Sequence, residues 1–153
     1  PLQLGGMIAG ASDRQLALLR KYATYVGIAF QIQDDLLNLT ADEARYGKEI
    51  GGDLWEGKHT IMLLHMMRSA SPAEQARAAD ILQQPRPDKQ EEDIAFLYDL
   101  IEKYESIDYA RNMTRLLALK AHRVFQSIKE WMPPSVHRNF LLGMAEYVIT
   151  RDK

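Results

Sequence analysis

Phe30-Gln31-Ile32-Gln33-Asp34-Asp35-Leu36-Leu37-Asn38-Leu39 sets two adjacent carboxylates inside an otherwise strongly apolar run. Upstream of it Leu16, Leu19, Ala23, Val26 and Phe30 recur at helical spacing. Ser12-Asp13-Arg14-Gln15 precedes them with a serine and a glutamine three apart, the spacing of a capping box. The pattern predicts one long helix over residues 13–39. On that helix Gln31, Asp34 or Asp35, and Asn38 fall on adjoining faces and form a patch of oxygen-bearing side chains. Neighbouring carboxylates in a partly buried helix repel each other and lose hydration, so they call for a compensating cation. Mg²⁺ suits the patch, because it prefers hard oxygen ligands and takes one or two carboxylates together with waters and substrate phosphates. The plainer alternative is a pair of solvated acids on the polar side of an amphipathic helix.

The segment that follows weighs against the plainer alternative. Between residues 40 and 57 the apolar period vanishes and Gly47, Gly51, Gly52 and Gly57 appear, which predicts a loop. Its run Tyr46-Gly47-Lys48-Glu49-Ile50-Gly51-Gly52-Asp53-Leu54-Trp55-Glu56-Gly57-Lys58-His59-Thr60 supplies Lys48 and Lys58 as cations and Asp53 as a further anion. All three come within reach of the carboxylates if the loop folds back over the helix end. Glycines let backbone approach a polyanion closely. Any one of these residues reads equally well as a surface lysine or a turning glycine; the combination points to a phosphate site.

The rest of the chain is helical in pattern. Ile61 to Met67 is apolar nearly all round except at His65, which predicts a helix buried on most sides. Ser71-Pro72-Ala73-Glu74 opens the next helix, and Pro85 and Pro87 close it. Beyond the polar segment 88–93, Ile94, Leu97, Leu100 and Ile101 keep the same period. Ser106 is placed to cap a long helix whose stripe is Ile107, Ala110, Met113, Leu117, Ala121, Val124, Ile128 and Trp131, until Pro133-Pro134 breaks it. A last helix carries Phe140, Leu141, Met144, Tyr147 and Val148. With no alternating strand pattern, repeat or low-complexity linker, the fold class is all-α, an antiparallel helical bundle.

Length and composition narrow the function classes. At 153 residues the chain suits one domain or part of one. Its 46% hydrophobic and 26% charged residues are ordinary for a globular protein. No apolar run approaches the roughly 18 residues of a membrane span. A net charge of −2 with interspersed signs gives no basic stripe, so no nucleic-acid partner is expected. The absence of cysteine removes disulfide frameworks, thiolate zinc sites and cysteine nucleophiles, and is compatible with a cytoplasmic protein. Pro1 opens an apolar stretch, Leu2 to Ala9, with neither a charged leader nor a cleavage pattern; a piece of a longer chain is expected rather than a signal peptide. His65, His122 and His137 lack ligand spacing and read as structural or surface groups. Met62, Met66 and Met67 read as core or cavity lining, and Tyr22, Tyr25, Tyr147 and both tryptophans as packing.

The stretch from Phe30 to Asn38, followed by Gly47-Lys48, Gly51-Gly52-Asp53 and Gly57-Lys58-His59-Thr60, resembles the second aspartate-rich region of the trans-isoprenyl (polyprenyl) diphosphate synthases. Weaker similarity covers essentially the whole chain, including Leu4 to Ala11 and Ser106-Ile107-Asp108-Tyr109-Ala110. The resemblance implies a bundle of the isoprenoid synthase type around a deep cavity, incomplete at its N-terminus, with residues 1–153 as the C-terminal part of a single helical domain. It further implies three Mg²⁺ ions, or Mn²⁺ in their place, bridging two aspartate-rich helices to an allylic diphosphate. Asp34 and Asp35 would face the metal, Asp34 foremost as a direct ligand. Asn38 would complete that set at the place where many relatives carry a third aspartate. Gln31 would contact the allylic diphosphate or its cation, Lys48 and Lys58 would hold the leaving group, Asp53 would act through the metal's waters, and His59 would border the diphosphate.

The reaction so implied is ionisation of the allylic diphosphate, attack by isopentenyl diphosphate and loss of a proton, giving a polyprenyl diphosphate. The Asn38 variant resembles some geranylgeranyl diphosphate synthases. A cytoplasmic homodimer is expected. The first aspartate-rich motif, the basic residues that bind isopentenyl diphosphate and the side chains that set product length all belong upstream in the family. The chain therefore holds half of such a site and is expected to be inactive alone. Two other readings compete. A class I terpene cyclase would need Ser or Thr and then Glu where Asn38 and Asp42 stand. A non-catalytic subunit would stabilise a partner through helix packing alone.

Overall fold

The structure, a computed structural model, describes residues 1–40 and 51–150. The helices are α1 (Leu2–Ile8), α2 (Asp13–Thr40), α3 (Gly52–Trp55), α4 (Ile61–Ser69), α5 (Pro72–Gln83), α6 (Glu91–Lys103), α7 (Ser106–Lys129) and α8 (Val136–Thr150), with a 3-10 turn at Arg86–Asp88. No strand occurs among the described residues, and the all-α class read from the sequence holds. The described residues gather into two compact units, Pro1–Gln33 with residues 113–150, and Asp34–Asn112.

In the first unit α2 begins on the expected reciprocal bonds. The Ser12 N–H donates to Gln15 Oε1 at 2.8 Å and the Gln15 N–H returns to Ser12 Oγ at 3.4 Å. Leu19, Tyr22, Val26, Ala29 and Ile32 are buried at spacings of three and four. Phe30 continues this stripe, about 40° around the helix from Val26, yet is 42% exposed, and it faces an apolar cavity. From α7, Leu117, Ala121, Phe125 and Ile128 are buried, and the Phe125 ring meets Tyr22 at 5.5 Å between centroids. The Tyr22 hydroxyl donates to the Leu141 carbonyl, and burial pushes its pKa up to about 12. Helix α7 stops at Lys129, before the prolines, so Trp131 lies in the turn and not on the helical stripe. An apolar cavity of about 1100 Å³ is walled by residues of α1, α2, α8 and this turn, Val26, Phe30 and Trp131 among them.

In the second unit the end of α2 is buried from Asp35 through Leu39 without a polar face. Helix α4 starts at Thr60, whose hydroxyl accepts the Leu63 N–H at 3.3 Å. Met62, Leu63 and Met66 are buried, but Leu64 is 46% exposed, so α4 has one open face where the sequence suggested burial nearly all round. His65 is structural: its Nδ1 lies 3.0 Å from Ser106 Oγ, and its ring stacks on Tyr109 at 4.1 Å. Ser106 therefore spends its hydroxyl on His65 from within the first turn of α7, not on capping that helix. Ser71 and Glu74 form the capping box of α5. The Glu74 carboxylate also accepts from Lys103 and Tyr104, both at 2.7 Å, which fastens the start of α5 to the end of α6. The bonds from Lys103, Ser71 and Tyr104 hold that carboxyl well below the usual range.

Candidate functional site

Asp35 and Asn38 are 6% and 8% exposed on the last turns of α2, and Asp34 beside them is half-buried. The chain returns to them at Gly51, which holds a φ of 74°, a left-handed conformation suited to glycine. The Gly51 N–H donates to the Asn38 carbonyl at 2.7 Å, and the Asp53 N–H donates to Asn38 Oδ1 at 3.0 Å. One asparagine thus satisfies two donors at the start of α3, donors that have no partner inside the helix. A short helix, α3, therefore stands where the glycines suggested loop as far as Gly57. It carries Asp53 in its first turn, and after Gly57 the chain delivers Lys58 back to the same carboxylates. Lys58 Nζ lies 2.7 Å from Asp35 Oδ1 and 3.0 Å from Asp53 Oδ2. Partial burial alone would lower the Lys58 pKa, but the hydrogen bonds and charges of Asp35 and Asp53 outweigh it and hold the ammonium above the ordinary lysine range.

The opposite side of α3 is held from the connection between α5 and α6. Arg86 pairs with Glu56 at 2.7 Å, and Lys89, 4% exposed, donates to the carbonyls of Leu54 at 3.2 Å and Trp55 at 2.6 Å. Gly57 completes the packing with a φ of 66°; a Cβ there would meet the Leu82 carbonyl oxygen at 2.8 Å and Lys89 Nζ at 3.3 Å. Gly57→Ala is expected to destabilise the protein by about 1–2 kcal/mol through the left-handed backbone alone, with the contact on Leu82 adding to it. A thermal melt reads this as a fall of several degrees. An unchanged melting temperature would mean that the loop does not hold this conformation.

Asp35 and Asp53 are thus brought together around the Lys58 ammonium, with Asn38 bonded to the backbone of Gly51 and Asp53. Gln31 is exposed on α2, one turn ahead of Asp34, and His59 is exposed next to Lys58. Lys48 lies outside the described residues. Lys89 was not foreseen: it sits in the polar run Pro87-Asp88-Lys89-Gln90, where nothing in the periodicity marks one lysine as buried. Among the described residues no group of three or more His, Cys, Asp or Glu side chains is arranged to hold a metal. Asp34, Asp35, Asn38 and Asp53 nonetheless offer oxygen donors only. That donor set fits Mg²⁺, which draws much of its shell from water and phosphate.

A polyprenyl synthetase family model matches residues 1–101. Geranylgeranyl diphosphate synthase of Sulfolobus acidocaldarius is 39% identical over 150 residues, which cover 98% of this chain and 44% of the relative. Octaprenyl diphosphate synthase of Haemophilus influenzae is 31% identical over 150 residues, covering 98% and 44%. The solved structure of geranylgeranyl pyrophosphate synthase from Corynebacterium glutamicum, complexed with isoprenyl diphosphate and magnesium, matches with a TM-score of 0.78 at 27% identity, over 97% of this chain and 41% of that one. The chain spans less than half the length of these relatives.

Proposed function

The chain belongs to the polyprenyl synthetase family, and on that premise we propose that it is the C-terminal part of a trans-prenyltransferase that condenses isopentenyl diphosphate with an allylic diphosphate. The product is a polyprenyl diphosphate, of the geranylgeranyl type or similar. The enzyme would form a single isoprenoid-synthase-like helical domain and work in the cytoplasm as a homodimer. The observation that carries the reading is Lys58, a half-exposed ammonium held against Asp35 and Asp53 at the mouth of a carboxylate patch. A cation so placed has anionic partners in the resting protein and is accessible enough to exchange them for the oxygens of a diphosphate.

In the reaction the C–O bond of the allylic diphosphate breaks and its electron pair leaves with the diphosphate. The double bond of isopentenyl diphosphate then forms the new C–C bond to the allylic carbon, and a proton departs to restore unsaturation. Lys58 serves the first step by donating to leaving-group oxygens as negative charge builds on them. Lys48 acts on the same group and Gln31 on its flank. Asp53 orients Lys58 and would act through the waters of a bound metal. Asp34 and Asp35, with Asn38 beside them, would hold Mg²⁺ or Mn²⁺, which supplies charge neutralisation to the departing diphosphate.

Lys58→Ala in the full-length protein is expected to raise the dissociation constant of inorganic pyrophosphate with Mg²⁺ by about tenfold or more. A charge-assisted hydrogen bond contributes about 1.5–3 kcal/mol. Calorimetry that finds equal affinity in variant and parent would remove Lys58 from the diphosphate site.

A further inference from the structure

A lysine buried to 4% exposure and bonded to two backbone carbonyls is an uncommon arrangement. Among the described residues no carboxylate lies within ion-pair distance of Lys89. Burial lowers its pKa most; the charge of Glu56 opposes this, and the smaller effect of Arg86 adds to the lowering. Such a group costs desolvation energy that an apolar side chain would avoid. What it does in return is local: at the C-terminal end of α3 its ammonium bonds the Trp55 carbonyl and also that of Leu54, which accepts the Gly57 N–H as well. Helix α3 is only four residues long, with Asp53 in its first turn and Lys58 three residues past its end. Its N-terminal end is fixed by Asn38 and its C-terminal end by Lys89, so Asp53 sits at the first anchor and Lys58 follows just past the second. Gly57 lets the second anchor close, since a Cβ at that position would press on both Leu82 and Lys89.

We propose that Lys89 is a positioning residue for the diphosphate site, gripping the Leu54 and Trp55 carbonyls so that Asp53 and Lys58 stay aligned on Asp35. The inference rests on the diphosphate-binding role given to Lys58 above. It specifies that Lys89 acts through the backbone and touches no substrate. Lys89→Met keeps the length and apolar stem of the side chain and deletes the ammonium. Lys89→Gln keeps one donor.

Both are to be measured in the full-length enzyme, well below its melting temperature, beside Lys58→Ala. The expected result for Lys89→Met is a rise of about fivefold or more in KM for the allylic diphosphate with KM for isopentenyl diphosphate unchanged, and an intermediate value for Lys89→Gln. In the Lys58→Ala background Lys89→Met should add less than about twofold, because the two act through one contact. Amide exchange at residues 54–58 should speed up in Lys89→Met without substrate present, a readout independent of any activity.

A lower melting temperature with both KM values unmoved would reduce Lys89 to a packing role and overturn the proposal. If Lys89→Met does not fold, Lys89→Gln carries the same comparison. If Lys58→Ala itself leaves allylic diphosphate binding intact, the reading of the site fails, and faster exchange at 54–58 in Lys89→Met would then attest only to anchoring of α3.

Discussion

Asp34→Ala in the full-length protein is expected to lower turnover by about 100-fold or more while the melting temperature stays within a few degrees of the parent. The size follows from the role: a metal held against a departing diphosphate supplies several kcal/mol, and each 1.36 kcal/mol is a factor of ten in rate. The stability argument comes from the surroundings. Asp34 adjoins Asp35, a buried carboxylate already paired with Lys58 at 2.7 Å, so removing Asp34 relieves repulsion between like charges. Asp35→Ala would be a poorer probe, because it also releases Lys58 and confounds metal binding with loop position. Steady-state assays beside thermal melts make the test. Activity equal to the parent would take Asp34 out of the site.

The 153-residue chain by itself is expected to make no prenyl diphosphate. A diphosphate leaving group carries several negative charges, and stabilising it away from water takes cations clamped from both sides. Asp34 and Asp35 provide one clamp, and no Asp-Asp-x-x-Asp motif occurs among the 153 residues to provide the other. The chain also exposes large apolar side chains, Leu4 at 59%, Met7 at 59% and Ile8 at 82% on α1 alone, which favour association. Incubation with radiolabelled isopentenyl diphosphate, geranyl or farnesyl diphosphate and Mg²⁺ is the measurement. Product at rates like the full-length enzyme would show that the first aspartate-rich motif is dispensable or replaced.

Much of the fold was legible because helices announce themselves by period and punctuation. Ser12-x-x-Gln15 opens α2 through the capping bonds its spacing predicts, and Pro72 at the first helical position marks the start of α5, where Ser71 and Glu74 also cap each other. The local set Asp35, Asn38, Asp53 and Lys58 was legible as a combination of charge and backbone freedom. What escaped depends on contacts between distant residues. Whether Gly51-Gly52 opens a loop or a helix turns on Asn38, thirteen residues back, accepting two backbone donors. Ser106 looked like a cap, but His65, 41 positions away, competes for its hydroxyl. Lys89 stands out only once the Leu54 and Trp55 carbonyls are seen to converge on it. Phe30 and Leu64 went astray for a different reason: apolar character at roughly helical spacing does not reveal how wide a buried stripe is.

The doubly paired Lys58 means that the carboxylate patch carries its own counter-ion. A divalent cation arriving alone at Asp35 must displace an ammonium that already sits 2.7 Å away, and that ammonium would be left with Asp53 only. A diphosphate arriving alone would draw the ammonium off and cost Asp35 and Asp53 their ion pairs with it. Either ligand is therefore penalised singly, and each removes the penalty on the other, since the anion gives the lysine a new partner and the cation gives the aspartates theirs. By linkage the favour is mutual and equal. On the function proposed above, the resting lysine would act as an electrostatic gatekeeper, one that admits metal and diphosphate as a neutralised pair and disfavours either without the other.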